Sequence, residues 1–479
     1  MPVYTKLFVT FFFAIFLTVN MVRRIWNENK SFCTFISNIL LLGASIVFYC
    51  WSNLRFILFP ITIGVISYVS GIVLGRCHSY KKSIILAFAG LELLPLLVYR
   101  LVGLRTDLFD VPTEELIIPL GLSFFTLQAV TYTHGVYKGT LSAERNPLIV
   151  LLFVSFFPCV SSGPIARAEK LLPQFGEYKV FDYDEITDGL RLMGWGLLKK
   201  LVIADNLATY IQAVRGAEGE KYGMALLLAA LLYSFQLYLD FSGYSDIVIG
   251  CANALGYELG KNFDHPYLSV SIGEFWRRWH ISLSSWLRDF VYIPLGGGRV
   301  GALRKNLNTL ITFAVSGLWH GAGITWIVWG LYHGICLCIE NILGIGKNVI
   351  VSTPRRWLRI FWTYVIVTFG WIIFASDSLH EVADTIVSFG RIPSEMAMIV
   401  ADGIAVNRVL MVPHGFNLAL SLVFLVGYLG ISGTTYRNSG LKLIKSKKPV
   451  IRWGGYFALA LLILFFSAEN SGEFIYNRF

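Results

Sequence analysis

Long apolar stretches alternate with short polar segments along the whole chain. Stretches of about 20 apolar residues, enough for a helix to cross the bilayer core, recur from one end to the other. Only helices satisfy their own backbone hydrogen bonds in lipid, so we predict an all-α polytopic membrane protein with about twelve crossings. They cover residues 5–20, 32–51, 54–75, 83–101, 115–137, 187–214, 223–255, 307–319, 324–343, 360–375, 416–433 and 453–468.

Two segments break this pattern. Residues 148–165 contain FFPCVSSGPI, with two prolines and a glycine. Broken backbone at membrane depth is tolerated only where protein or a cavity surrounds it, so we predict a re-entrant element. Residues 262–304 are too polar to cross and are expected at the cytoplasmic interface.

Composition and charge set the class and the orientation. Hydrophobic residues make up 55% of the 479 and charged residues 15%, with a formal charge of +10. Basic residues follow the first, third and fifth predicted crossings and precede the last, whereas acidic residues cluster at 107–114 and 377–384. By the positive-inside rule, the basic loops are cytoplasmic and both termini are outside. The membrane lipid is the expected surrounding, and nothing indicates a nucleic-acid partner.

The cysteines and glycine-rich stretches show no metal or nucleotide motif. The seven cysteines are scattered without a CxxC pair, so we predict neither a disulfide framework nor a metal site. The GGGR at 296–299 lacks the lysine and spacing of a phosphate-binding loop. No permanently bound cofactor is expected.

Residues 273–299, GEFWRRWHISLSSWLRDFVYIPLGGGR, combine arginines, tryptophans and a histidine. One interpretation is an interfacial segment with aromatic and basic anchors. The other is a basic, aromatic mouth for an anionic cytoplasmic substrate with a planar ring. Its candidates are Arg277, Arg278, Arg288, Arg299, Trp276 and Trp279.

Polar side chains also occur inside apolar helices. Gln236, Asp240 and Tyr244 are spaced i, i+4, i+8 and share one helix face. A carboxylate at this depth points to a cavity or to a partner, so a functional and a structural role both stay open. For Glu92 we favour helix packing, and Lys199 and Lys200 are expected to snorkel to the interface.

His320 lies in WHGAGITWIVWG, one of the most apolar parts of the chain. Gly321, Ala322 and Gly323 carry little side-chain bulk, so another molecule could approach the ring. A neutral imidazole, with a reference pKa of ~6.5, is suited to taking a proton near neutral pH. Among the other histidines, His265 precedes a proline and predicts a turn, and His333 is interpreted as a packing residue.

Six motifs together resemble the membrane-bound O-acyltransferase (MBOAT) family, in the bacterial branch that O-acetylates cell-envelope polysaccharides. They are PLGLSFFTLQAVTY, FFPCVSSGPIAR, GLLKKLVIADN, DFSGYSD, NFDHPYLSVSIGEFWRRWHISLSSWLRDFVYIPLGG and SGLWHGAGITWIVWGLYHG. The resemblance implies N-terminal helices over 1–110, a catalytic core over 111–345, C-terminal helices over 346–468 and an aromatic tail over 469–479. It also implies a cytoplasmic and an extracytoplasmic funnel that meet near the catalytic histidine.

The resemblance implies acetyl transfer in the bacterial cytoplasmic membrane. His320 and His280 match the family's two characteristic histidines, the first as general base and the second as a residue that orients substrate or stabilises an oxyanion. Acetyl-CoA would be the cosubstrate and the arginines would hold its phosphates. Asp240, Gln236, Tyr244 and Gly321 would support the site. The acceptor would be an extracytoplasmic polysaccharide, reached directly or through an SGNH-type transferase protein.

The last residues, SGEFIYNRF, resemble an aromatic C-terminal motif of this branch, which implies that Tyr476 accepts the acetyl group. A phenol has a reference pKa of ~10, close to the ~8.5 of a thiol and far from the ~15.7 of water. An acetyl-tyrosine would therefore keep much of a thioester's transfer potential. Alternatives are D-alanyl transfer to teichoic acid, a transporter, or a scaffold of an envelope assembly complex.

Overall fold

The computed structural model describes residues 1–51, 54–77, 79–109, 119–345, 353–413, 418–435 and 448–468, and these contain helices and no strand. The helices are α1 (Lys6–Ile25), α2 (Lys30–Cys50), α3 (Leu58–Arg76), α4 (Lys81–Phe109), α5 (Leu122–Lys138), α6 (Pro147–Ser155), α7 (Phe157–Val160), α8 (Ala168–Leu171), α9 (Tyr183–Leu197), α10 (Asp205–Gly216), α11 (Gly223–Ala254), α12 (Ile272–Arg278), α13 (Ile281–Leu287), α14 (Ala302–His320), α15 (Ile324–Leu343), α16 (Thr353–Ala375), α17 (Leu379–Phe389), α18 (Ile392–Ala401), α19 (Val406–Val409), α20 (Leu418–Thr435) and α21 (Pro449–Phe466).

Eight helices among the described residues are long and apolar enough to cross a membrane. They are Lys6–Ile25, Lys30–Cys50, Leu54–Arg76, Lys81–Arg105, Gly223–Ala254, Ile324–Leu343, Thr353–Ala375 and Pro449–Phe466. The other four predicted crossings coincide with α5, with α9 and α10, with α14 and with α20, which are shorter or more polar. The multi-pass class is confirmed, and the count of twelve and the two funnels stay predictions.

The chain divides into two compact units. The first consists of Met1–Gly196 and Tyr244–Asn262, and the second of Leu197–Gly243 and Phe263–Phe479. Helix α11 contributes its first part to the second unit and its last part to the first. The four sequence segments predicted from the resemblance stay predictions.

In the first unit, the predicted break at 148–165 is present as two short helices, α6 and α7, followed by a turn and extended backbone. From Phe153 onward the segment is buried, and side chains of α5 satisfy backbone groups in it and directly after it. Gln128 donates to the carbonyl of Phe153 and accepts from the N–H of Ala166, and Thr131 accepts from the N–H of Ala168. These bonds explain how non-helical backbone is tolerated inside the protein.

The carboxyl group of Glu92 joins three helices of the first unit. Its Oε1 accepts from Ser67 of α3 and from Thr133 of α5, each at 2.7 Å. Ser70 is hydrogen-bonded to Thr133 at the same distance. This arrangement confirms the packing role favoured for Glu92, since the polar groups replace water for one another.

In the second unit, α14 and α15 form a close antiparallel hairpin around two glycines. A Cβ on Gly317 would overlap the carbonyl of Trp326, and a Cβ on Gly330 would overlap the carbonyl of Phe313. Small residues at these positions let the two backbones approach. The hairpin therefore places His320, the last residue of α14, against the first turns of α15.

Candidate functional site

His320 lies at the C-terminus of α14 and is 2% exposed. Its ring makes edge-to-face contacts with Trp319 at 4.8 Å, Trp329 at 4.9 Å and Phe374 at 5.5 Å between ring centroids. It is stacked on Trp326 at 6.4 Å. Such a wall excludes bulk water, which strengthens electrostatic interactions and protects a reactive acyl group from hydrolysis.

The expectation of open space beside His320 is wrong at Gly321. A Cβ on Gly321 would overlap Nε1 of Trp326. The glycine therefore makes room for an indole of the same chain, which in turn packs at 4.5 Å on Phe374. The missing side chain shapes the aromatic wall of the site instead of leaving a gap for a substrate.

His280 lies in the same unit and also contacts Trp319. Its ring centroid is 5.9 Å from that of Trp319 and 4.7 Å from that of Phe241. The backbone has φ +44°, a left-handed conformation that is unusual for a non-glycine residue. It breaks the chain between α12 and α13 and turns the imidazole inward.

The electrostatics of His280 follow from its burial. The side chain is 1% exposed, and loss of hydration lowers its pKa to about 3. The ring is therefore neutral at physiological pH, with one nitrogen able to donate and the other to accept. Two buried imidazoles thus contact the same indole, Trp319, and imidazoles are groups that can transfer protons and stabilise an oxyanion.

The four candidate arginines differ in their surroundings. Arg278 pairs with Glu274 at 2.6 Å, and Arg288 pairs with the adjacent Asp289 at 2.8 Å. The side chains of Arg277 and Arg299 are exposed, and neither has an acidic partner within ion-pair distance among the residues that the structure describes. These two have the most capacity left for an external anion.

The two candidate tryptophans lie inside the protein. Trp279 is 1% exposed, is stacked on Phe275 at 5.4 Å and lies 4.9 Å from Trp371. Trp276 packs edge-to-face on Trp329 at 5.7 Å. Neither ring exposes a face to solvent, so neither can stack on the adenine base of a donor bound at the surface. Any contact between these rings and the donor would lie inside the protein.

The polar face of α11 is divided among different partners. Asp240 pairs with Lys200 at 2.7 Å, and Lys200 also pairs with Asp205 at 2.8 Å. Tyr244 is hydrogen-bonded to Ser161 of the broken segment. Gln236 is 8% exposed. The structural alternative for Asp240 is therefore favoured, with a lysine as its partner.

The prediction that Lys199 and Lys200 snorkel to the interface is wrong. They are 4% and 1% exposed and lie in a π-helical stretch, Leu198–Ala204. Lys199 donates to Ser242 at 3.1 Å. The wider π-helical turn directs both ammonium groups inward, where the carboxylates and the hydroxyl replace their hydration.

Three further histidines of the described residues, His265, His333 and His380, behave as surface or packing residues. His265 has φ +49° before Pro266, which confirms the predicted turn. His333 is fully buried and packs on Trp276 at 5.1 Å, which confirms its packing role. His380 is exposed and pairs with Asp384. Tyr476 lies outside the described residues.

Sequence reasoning missed the aromatic residues that enclose His320. Trp326 and Trp329 are three residues apart in the same motif, a spacing that places both on one face of a helix. Trp371 and Phe374 repeat this spacing on α16. This i, i+3 repetition in two apolar helices was an available signal, but it does not by itself indicate which histidine the rings surround.

Comparison with known proteins gives one family and several relatives. The membrane-bound O-acyltransferase family profile matches residues 115–377. The chain is 37% identical, over 72% of its length and 68% of the relative, to a protein of Pseudomonas fluorescens named "Probable alginate O-acetylase AlgI". It is 28% identical to the peptidoglycan O-acetyltransferase of Helicobacter pylori, over 99% of this chain and 97% of the relative. The teichoic acid D-alanyltransferase of Bacillus subtilis is 31% identical over 56% of this chain and 72% of the relative.

Proposed function

The chain belongs to the membrane-bound O-acyltransferase family, and we propose that it transfers acetyl from cytoplasmic acetyl-CoA to extracytoplasmic cell-envelope polysaccharide. That it is an O-acyltransferase follows from the family and from its acyltransferase relatives. The acetyl donor, the polysaccharide acceptor and the residue roles are the proposal. The alginate and peptidoglycan O-acetylases among the relatives support a polysaccharide acceptor in the envelope.

The single observation that carries the proposal is the position of His320. It is a buried imidazole at a helix end, enclosed by aromatic rings, and a second buried imidazole, that of His280, contacts the same Trp319. Aromatic rings that exclude water protect a thioester from hydrolysis. A lone packing histidine would not need a second imidazole beside the same indole.

In the proposed reaction, His320 takes the proton of an attacking hydroxyl while its oxygen bonds to the thioester carbonyl carbon. The carbon–sulfur bond then breaks, and the leaving thiolate receives the proton back from the imidazolium. The neutral His280 donates a hydrogen bond to the carbonyl oxygen as it gains negative charge. The products are an acetyl ester and free CoA, and no net proton is consumed.

On the donor side, we assign the phosphates of acetyl-CoA first to Arg277 and Arg299. Both are exposed, whereas Arg278 and Arg288 are already paired with carboxylates. An arginine fork matches a phosphate in geometry and charge. The interior Trp276 and Trp279 would line the path of the uncharged pantetheine arm, and Asp240, Gln236, Tyr244 and Gly321 would hold the surrounding helices in place.

We further propose that Tyr476 receives the acetyl group first and passes it to the final acceptor. The aryl ester would retain transfer potential because a phenol and a thiol have similar acidity. The second displacement, by a glycan hydroxyl or by an SGNH-type transferase, would regenerate the phenol. This order requires the C-terminus to be outside the bacterial cytoplasmic membrane, as charge bias predicts.

Two alternatives are distinguishable. D-alanyl transfer is favoured by the similarity to a teichoic acid D-alanyltransferase, which covers about half of the chain. It requires an aminoacyl donor in place of acetyl-CoA. A scaffold would tolerate the substitution of His320, whereas a transporter would use Asp240, His320 and Glu92 as a proton or solute path. Neither would consume acetyl-CoA.

The experiment is complementation of a strain that lacks the gene, with alkali-released acetate measured in isolated envelopes. His320→Ala should insert normally and give no acetate above the deletion strain. Tyr476→Phe should do the same if the relay is correct. Near-normal acetate from His320→Ala would contradict the assignment of the base, and near-normal acetate from Tyr476→Phe would contradict the relay alone.

A further inference from the structure

A cavity of about 330 Å³ lies within the second unit, and no residue of the arginine-rich segment 273–299 is part of its lining. It is enclosed by the end of α10, the first turns of α11, the end of α16 and the helix α17. Small-molecule sites start at about 300 Å³. The acid-rich segment at 377–384, which charge bias predicts to be outside, contributes to its wall.

The inner end of the cavity approaches the candidate catalytic histidine. Trp371 lines the cavity and is stacked on Trp329, with 6.0 Å between centroids. Trp329 in turn contacts His320 at 4.9 Å. Two indoles, those of Trp371 and Trp329, therefore connect one wall of the cavity to the imidazole of the proposed reaction centre.

The charged groups of the lining balance one another. The lining contains three cations and three carboxylates: Arg215, Lys221, Arg391, Glu220, Glu381 and Asp384. Arg215 pairs with Glu381 at 2.9 Å, and Arg391 pairs with Glu220. A site for a polyanion requires an excess of positive charge, and this lining has none.

The same groups suit an uncharged ligand with many hydroxyl groups. Guanidinium and carboxylate groups that pair with each other still have donors and acceptors left for hydroxyls. Arg391 donates to Ser388 at 2.7 Å, and its Nε–H has no hydrogen-bond partner among the described residues. Tyr233 adds an aromatic ring, a group that packs on apolar C–H faces of a ligand, whereas Trp371 is 1% exposed and already packs on Trp279 and Trp329.

We propose that this cavity binds the acceptor as a neutral, hydroxyl-rich carbohydrate in preference to a polyuronate. The proposal rests on the proposed function, because it names the acceptor class of that reaction. The proposal therefore differs from the preference for an anionic glycan that the name of the alginate O-acetylases would suggest. The charge balance of the lining, together with the ring of Tyr233, carries the distinction.

The test uses the purified full chain in detergent, titrated with cellotetraose and with tetramannuronate while tryptophan fluorescence is followed. Cellotetraose should bind saturably, and tetramannuronate should bind at least about 10-fold more weakly, a difference of about 1.4 kcal/mol. Arg391→Gln and Tyr233→Ala should each weaken cellotetraose binding by about 10-fold or more. The matched control is Arg408→Gln, an exposed arginine outside the lining, which should bind like wild type.

Equal or tighter binding of tetramannuronate would overturn the proposal, as would unchanged cellotetraose binding in both cavity variants. Thermal unfolding of each variant is measured first, and Arg391→Gln serves if Tyr233→Ala does not fold. Acetyl-CoA consumption is measured in the same preparations. If the protein consumes acetyl-CoA but does not bind cellotetraose, the cavity proposal is rejected and the proposed function stands. If it binds cellotetraose but does not consume acetyl-CoA, the proposed function is rejected and the cavity is still a carbohydrate site.

Discussion

The buried lysine of the second unit offers a test of how the fold is held together. Lys200 lies 2.8 Å from Asp205 and 2.7 Å from Asp240, and the side chains of all three are at most 3% exposed. Replacing Lys200 by methionine keeps the length of the side chain and removes the cation that both carboxylates share. The carboxylates then stay buried without that partner.

The expected loss of stability is large. Removing one partner of a buried ion pair costs about 3–5 kcal/mol, because an uncompensated charge stays in a poorly solvating interior. Replacing a buried ion pair by well-packed hydrophobic groups of similar volume is often neutral or stabilising, because no charge then remains in the interior. Lys200→Met combined with Asp205→Asn and Asp240→Asn also removes every charge, so this triple variant should recover a large part of the loss.

The assay is SDS-induced unfolding in a fixed mixed micelle, followed by tryptophan fluorescence. Lys170→Met, a change of an exposed lysine, serves as the control and should stay within about 0.5 kcal/mol of wild type. The reasoning is refuted if Lys200→Met is as stable as this control. It is also refuted if the triple variant is no more stable than the single one.

Three further predictions concern the site and its orientation. Gly321→Val should displace the indole of Trp326 and lower the turnover number by about 100-fold, because small displacements in a site can cost this much. The control Gly43→Ala, whose Cβ would have open space, should leave the turnover number unchanged. A fully active Gly321→Val would contradict the role of the aromatic rings around His320. The lowered pKa of His280, about 3 against an ordinary 6.5, means that acid favours the unfolded state, so stability is full above pH 6.5 and falls between 6.5 and 3. The loss through this residue should reach about 2 kcal/mol at pH 5. In His280→Asn, the free energy of unfolding should change less between pH 7 and pH 5 than it does in the wild type. An equal pH dependence in the two proteins would count against a buried neutral ring. Ser285→Cys should react with a membrane-impermeant thiol reagent, above the wild-type background, from the cytoplasmic side only; labelling from outside would reverse the predicted topology.

Hydrophobic patterning predicts the fold class because long apolar stretches have few alternatives to helices in lipid. The break after α6 is also predictable, since FFPCVSSGPI combines prolines with a glycine. The pattern does not reveal that Gln128 and Thr131 satisfy that backbone. Those side chains are on a different helix, and pairing between helices leaves no periodic trace in the sequence.

The candidate site was only partly predictable, because contacts between helices leave no pattern in the sequence. His320 stands out because it lies in an apolar helix beside glycines, whereas the role of Gly321 depends on Trp326, which packs into the space after the chain turns. Lys200 was expected at the surface because long basic side chains usually reach water. Its burial depends on a π-helical turn and on two acids, the nearby Asp205 at the start of α10 and the more distant Asp240 on α11.

The most direct test of the central claim is a radiolabel transfer assay with purified protein and [¹⁴C]acetyl-CoA. Wild-type protein should consume acetyl-CoA and retain base-labile acetyl label, which peptide analysis should locate at Tyr476. His320→Ala should bind acetyl-CoA but form label at least about 10²-fold more slowly, the contribution expected of a general base. Wild-type labelling rates in His320→Ala would contradict His320 as the base, and a wild-type protein that consumes no acetyl-CoA would contradict the donor itself.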